Sequence, residues 1–258
     1  MPMTLEEHAE EIRTSGYTIV QNVINGTQLR EARAALEDIF EREKDIGLER
    51  HWHNDVYKVA YMLPQKHPFF RSFAFNPNVL GLMRPLLGPG CMLASLNGFT
   101  MSPRGRNHPL HIDQFESVPG AVLSINALHV LDDFSIENGC TRVIPGSQDR
   151  VFNSREDAAA HEDEAVFLEA PAGSLIAFNG GLWHAGSRNS TDSPRRAIHA
   201  YYSRPWVRPQ WDYTRGFTPD VVAQLTEEQK ELFGFYAHSG WYDPESDQHV
   251  RPATRASD

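Results

Sequence analysis

Over the first 50 or so residues the apolar positions recur every three to four places, and from about residue 56 they bunch into short runs broken by turn residues. Thr4 and Glu7 have capping-box spacing, so a helix is expected to begin there and stop near Ser15-Gly16, with Tyr17-Thr18-Ile19-Val20 extended after it. Asn25-Gly26-Thr27 reads as the turn and cap of a second helix. On that helix Leu29, Ala32, Leu36, Ile39 and Phe40 share one face, opposite Glu and Arg.

The later runs, at 92–101, 122–131, 141–144, 165–169, 174–179 and 197–203, are separated by Pro-Gly, Asn-Gly, Pro-Ala-Gly and Ser-Pro punctuation. This cadence predicts a mainly β fold, a jelly roll or double-stranded β-helix of the cupin-like kind. It would have about eight strands in two packed antiparallel sheets, with the opening helices covering one outer face. After Trp206 the chain turns loop-rich, with one more helix expected near 219–233. Thr218-Pro219 offers its cap and first-turn proline, and Thr226 to Gln229 can restart or continue it. With no Gly/Ser linker, the expectation is a single domain over 1–258: a helical cover at about 4–48, a β core at about 56–206 and an extension at about 207–258.

Composition narrows the function classes. The 258 residues are 40% hydrophobic, enough for a full core. No apolar stretch approaches the roughly 20 residues of a membrane span, and the start Met1-Pro2-Met3-Thr4-Leu5-Glu6-Glu7 lacks a signal peptide's basic and apolar regions. A cytoplasmic protein without membrane partners is expected. Cys91 and Cys140 are too few for a disulfide framework or a zinc-thiolate cluster, and read as small buried or half-buried thiols. A net charge of -10 without a basic run argues against nucleic acid and leaves small molecules as partners.

His111-Ile112-Asp113, with His184 later in the chain, carries the candidate chemistry. Two imidazoles and a carboxylate are the protein ligands of a facial Fe(II) site, which keeps positions open for a cosubstrate and dioxygen. The triplet alone is weak, because 12 His and 15 Asp in 258 residues give about 0.7 His-x-Asp by chance and the chain has three. His53-Asn54-Asp55 and His161-Glu162-Asp163 lie in polar or acidic segments. His111-Ile112-Asp113 instead sits at the rim of the β region, where extended backbone points residues i and i+2 to one face.

His184 follows a strand that ends in Gly180-Gly181, which would bring it to the mouth of the sheet beside the triplet. His108 is set aside, since i and i+3 on an extended chain face opposite ways, and His129 and His199 read as core or supporting residues. Arg195 and Arg196 open the next strand, and either offers the planar fork that binds a dicarboxylate bidentately. Spacing leaves the choice between them open.

Three stretches together resemble the phytanoyl-CoA dioxygenase family of Fe(II)- and 2-oxoglutarate-dependent oxygenases: His108-Pro109-Leu110-His111-Ile112-Asp113; Glu137-Asn138-Gly139-Cys140 leading to Ile144-Pro145-Gly146-Ser147; and Leu182-Trp183-His184-Ala185-Gly186-Ser187 leading to Pro194-Arg195-Arg196-Ala197. The likeness spans roughly residues 4–206. It implies that His111, Asp113 and His184 ligate iron, that Arg195 holds the 2-oxoglutarate carboxylate, and, more loosely, that Lys58 assists there. Two positions depart from the family pattern, Leu128 where tryptophan is frequent and Gln148 where histidine is.

The resemblance further implies that 2-oxoglutarate and O2 are consumed to oxidise an unactivated C–H bond, hydroxylation being the default in natural-product tailoring. Asp113 disfavours halogenation, because related halogenases replace this carboxylate to admit chloride. Tyr57, Gln114, Phe115 and Trp206, with Trp211, are the candidate substrate contacts around the mouth. The acidic balance makes a CoA thioester less attractive than a neutral or mildly polar metabolite. Two other classes stand beside this one: a cupin-like metal isomerase or hydrolase, and a catalytically silent 2-oxoglutarate-binding module.

Overall fold

Thr4 and Glu7 cap each other's backbone N–H groups and so start α1 (Leu5–Thr14), which runs into β1 (Tyr17–Val20). The Asn25 side chain caps α2 (Gly26–Arg42) reciprocally with Gln28, and the expected stripe is buried, with Ala35 added to it and Leu29 half-buried at its start. The computed structural model describes residues 2–54, 56–114, 116–236 and 241–250.

After α3 (Lys44–Glu49) and β2 (Tyr57–Ala60) the chain departs from the expected β pattern. Residues 63–87 form α4 (Leu63–Lys66), α5 (Pro68–Phe73) and α6 (Pro77–Leu87). His67-Pro68 and Asn76-Pro77 are each a side-chain cap followed by proline at the first helical position. Along α6, Val79, Leu80, Leu82, Met83, Leu86 and Leu87 are buried, while Pro85 within the helix masks the pattern in the sequence.

The strands that follow are β3 (Met92–Met101), β4 (Ser124–Val130) and β5 (Thr141–Val143), then, after the short α7 (Arg155–Ala159), β6 (Val166–Leu168), β7 (Leu175–Asn179), β8 (His184–Gly186) and β9 (Arg195–Ser203). They pair antiparallel into a six-stranded sheet of order β1-β7-β4-β9-β3-β2 and a three-stranded sheet of order β6-β5-β8. This is the jelly roll the cadence predicts, with the helices packed on the large sheet.

Period-two alternation sorts the side chains. On β9, Ile198, Ala200 and Tyr202 join the helix-side core with Leu36 and Ile39, while Ala197 joins the core between the sheets with Val143 and Phe178. Gly98 on β3 lets α2 lie close, because a Cβ there would sit 2.1 Å from Leu36 Cδ1. Past β9, α8 (Tyr213–Gly216), α9 (Pro219–Val222) and α10 (Glu227–Leu232) replace the single expected helix; Thr226 restarts it with a capping box to Gln229. Tyr213, Phe217 and Phe233 from this region complete the helix-side core. Cys91 and Cys140 are free and buried. No helix among the described residues is long and apolar enough to cross a membrane.

Candidate metal centre

Although the triplet belongs to neither sheet, its backbone is held by both sides of the mouth. His111 and His184 form an isolated antiparallel bridge in which each N–H donates to the other's carbonyl at 3.0 Å, and the Asp113 N–H donates to Gly180 at 3.0 Å. The strand end and glycine turn before His184 thus dock directly against the triplet.

The histidines are oriented by their own chain. His111 Nδ1 lies 3.0 Å from the Pro109 carbonyl and His184 Nδ1 lies 2.9 Å from the Leu182 carbonyl. A carbonyl only accepts, so each Nδ1 carries a proton and each Nε2 is the ring atom left to ligate a metal. Those Nε2 atoms face the carboxylate, 3.6 Å from Asp113 Oδ1 for His111 and 3.4 Å from Oδ2 for His184. One donor atom from each of the three residues lies within 4.8 Å of the others.

The electrostatics suit a cation. Burial, helped by the charge of His184, pushes His111 down to about 4, so it is neutral near pH 7. Burial alone would raise the Asp113 carboxyl, yet His184, His199 and His111 around it hold it below the usual carboxylate range. For His184 burial works downward, but Asp113 outweighs it and raises the imidazole. Asp113 Oδ2 is buried with no hydrogen-bond partner. Leaving such an oxygen bare costs on the order of 1–3 kcal/mol, and a metal ion among the three donors would satisfy it. Two imidazoles and one carboxylate, with an open side, fit a divalent iron ion, whose binding would displace the proton that Asp113 favours on His184.

A cavity of about 240 Å³ adjoins the triad, lined by His111 and His184 and extending between the sheets to Arg195. Val59, Phe99, Leu128 and Phe178 supply apolar wall; Asn97, His108, Thr141 and His199 supply polar groups. Arg195 is only 3% exposed, its guanidinium lies 4.2 Å from the Phe134 ring centroid, and its Nε has no hydrogen-bond partner. Burial draws it down to about 10, which still leaves it charged at neutral pH. Arg196, one residue on and facing the other way, is bound bidentately to Asp132 at 2.9 Å and to Glu37 at 3.2 Å. The fold therefore separates the two arginines that spacing could not.

Other expected residues are placed differently. Lys58 is exposed and absent from the cavity wall, because β2 alternation turns Val59 inward and Lys58 outward, where its charge is felt by Glu41 and His53. Tyr57 is absent from the cavity wall, although its ring stacks at 5.7 Å on Phe99, which belongs to that wall. Gln114 lies outside the inner cavity, on a second cleft that also holds His111 and Asp113. Trp206 is 68% exposed and lines a separate cleft with Arg13 and Arg204 that includes none of the triad. Phe115 lies outside the described residues.

Three histidines away from the ligand positions also find their places. His129 is buried against Phe73, with ring centroids 4.5 Å apart. His199 lines the cavity with its Nε2 3.9 Å from Asp113 Oδ2. His108 lines it as well, edge-on to Tyr57; residues 102–110 do not form a strand beyond Met101, so alternation from His111 does not govern it. Phe134 beneath Arg195 had no signal in spacing.

Comparison with known proteins adds family-level findings. The family model for phytanoyl-CoA dioxygenase matches residues 12–197. An uncharacterized protein of Mycobacterium tuberculosis is 28% identical over 242 residues, 91% of this chain and 88% of its own length. A protein of Aspergillus fumigatus named dioxygenase af480 is 28% identical over 253 residues, 93% of this chain and 80% of its own. The solved structure of the epimerase SnoN in complex with Fe3+, alpha ketoglutarate and nogalamycin RO is similar with a TM-score of 0.63 and 22% identity, covering 83% of this chain and 90% of that one. At that identity the likeness is one of fold.

Proposed function

Since the chain belongs to the phytanoyl-CoA dioxygenase family, we propose that it is a non-haem iron oxygenase that converts 2-oxoglutarate and O2 to succinate and CO2 while oxidising an unactivated C–H bond of a small metabolite. Hydroxylation is the outcome proposed, so that R–H becomes R–OH with the second oxygen atom of O2. One observation carries most weight: a single cavity runs from His111 and His184, two of the three converging donors, to the buried, unpartnered Nε of Arg195. The dioxygenase name of the Aspergillus relative, and the iron and alpha ketoglutarate held by SnoN on the same fold, support it.

Each residue has a role in this scheme. His111, Asp113 and His184 would hold Fe(II). When bound, the metal supplies the Lewis acidity and electrons for reaction with O2 and the keto acid, chemistry that no side chain supplies. Arg195 takes the distal carboxylate in its fork, with Thr141 and His108 as the polar wall nearby. Val59, Phe99, Leu128 and Phe178 exclude water around the bound cosubstrate. Asp113 occupies the ligand position that a halogenase leaves vacant for chloride.

The test is succinate release by purified protein with Fe(II), ascorbate and 2-oxoglutarate, followed by mass analysis of the oxidised product. One added oxygen supports hydroxylation. A product of unchanged mass would indicate epimerisation, as in SnoN, and loss of two hydrogens would indicate desaturation or ring closure. Failure to consume 2-oxoglutarate would return the chain to the isomerase, hydrolase or silent-binder classes.

A further inference from the structure

The triad stands between two spaces. The inner cavity reaches Arg195, whereas a larger outer cleft of about 740 Å³ takes its wall from His111 and Asp113 on one side and from residues 151–155 on the other. With the cosubstrate in the inner cavity, the outer cleft is the space from which a C–H bond can approach the metal positions. Its character therefore bears on the substrate, if the oxygenase assignment above holds.

Two kinds of surface meet there. Val151 is 58% exposed and Phe152 lies beside it, an apolar wall open to solvent. Arg155, solvent-exposed at the start of α7, lines the same cleft, and its guanidinium makes no hydrogen bond or ion pair among the described residues. Its neighbours differ: Arg150 is paired with Glu164 and Arg142 with Glu162. Arg155 is near enough for its charge to be felt at both His111 and His108. Gln114, also on the cleft, has its Oε1 buried without a partner.

We propose that the outer cleft binds a primary substrate with an apolar body and one anionic head, a carboxylate or its equivalent, held by Arg155 while Val151 and Phe152 cover the body. A guanidinium left unpaired beside a metal site in a chain of net charge -10 is an anchor for such a head. Glu116, which with the Asp113 carboxylate of the triad supplies the negative charge on the cleft, opposes a second negative group and so disfavours polyanions. The unpaired arginine thus replaces the neutral metabolite expected from overall charge with a singly anionic one.

The test uses paired probes: straight-chain carboxylates from hexanoate to dodecanoate, benzoate and phenylacetate, each beside its primary amide. Calorimetric affinity and stimulated succinate release are measured on the full chain with Fe(II) and 2-oxoglutarate. Expected are acids that bind and stimulate at least tenfold better than their amides, an Arg155→Gln variant that raises the KM of the best acid at least tenfold with kcat changed far less, and recovery of most of the loss in Arg155→Lys. The proposal is overturned if amides match acids, if Arg155→Gln leaves the affinity for the acid unchanged, or if no acid binds or stimulates although the protein turns over 2-oxoglutarate slowly by itself. Absence of any 2-oxoglutarate turnover in the unaltered protein would instead remove the oxygenase assignment itself.

Discussion

His111 and His184 face each other across a two-bond backbone bridge, their ring centroids 4.4 Å apart, although 72 positions separate them in the chain. The bridge fixes both backbones, and each Nδ1 is tied to a carbonyl of its own segment. The separation of the two Nε2 atoms is therefore set by main-chain hydrogen bonds and does not depend on loop packing.

Asp113→Ala and His111→Ala are expected to lower iron retention, measured by metal analysis after desalting, and to reduce succinate release at least 100-fold, roughly the scale of losing a catalytic metal ligand. Because the bridge is made by backbone atoms, both variants are expected to keep the far-UV spectrum of the unaltered protein. Full turnover in either variant would refute the triad.

Replacing Arg195 by Gln is expected to raise the KM for 2-oxoglutarate at least tenfold, since a charge-assisted bidentate contact is lost in a buried site. Arg196→Gln is expected to leave that KM unchanged and to lower stability by about 1 kcal/mol, the scale of a partly exposed ion pair with Asp132. Steady-state kinetics with denaturant titration separates the two; equal kinetic effects would contradict their opposite facing.

Lys58→Ala is expected to leave the KM for 2-oxoglutarate within twofold, because β2 turns this side chain away from the cavity. A tenfold rise would restore the role that the family resemblance gives it.

His129 provides a pH test of the core. Burial against Phe73 pushes it down to about 3, against roughly 6.5 in the unfolded chain. Between those values only the unfolded state binds the proton, so stability is full above about pH 6.5 and falls as the pH drops toward 3, by roughly 1.4 kcal/mol per unit. Relative to its own value at about pH 7.5, His129→Leu is expected to lose about 2 kcal/mol less than the unaltered protein at about pH 5 in urea titrations. Equal losses would show that His129 accepts a proton in the folded state.

The amino-acid sequence carries what depends on neighbours in the chain. Thr4 with Glu7, and Asn25 with Gln28, are caps completed within three residues, so both opening helices are legible; strand cadence and the His-x-Asp spacing are local in the same way. Where local cues conflict they mislead: the caps at His67 and Asn76 are outweighed in a linear reading by prolines, and the apolar run after them passes for β.

What only the tertiary structure decided is which way side chains face and what they meet. Arg195 and Arg196 are adjacent and chemically alike, and the pairing of β9 between β4 and β3 sends one into the cavity and the other to Asp132. The same alternation turns Lys58 outward, and Arg155, on a helix 42 residues past Asp113, comes to line one cleft with His111 and Asp113 through a fold-back that no spacing encodes. The physical reason is common to all of these. Capping and alternation are set by bonds a few residues long, whereas burial and the loss of a salt-bridge partner arise only when distant segments exclude water from the same space.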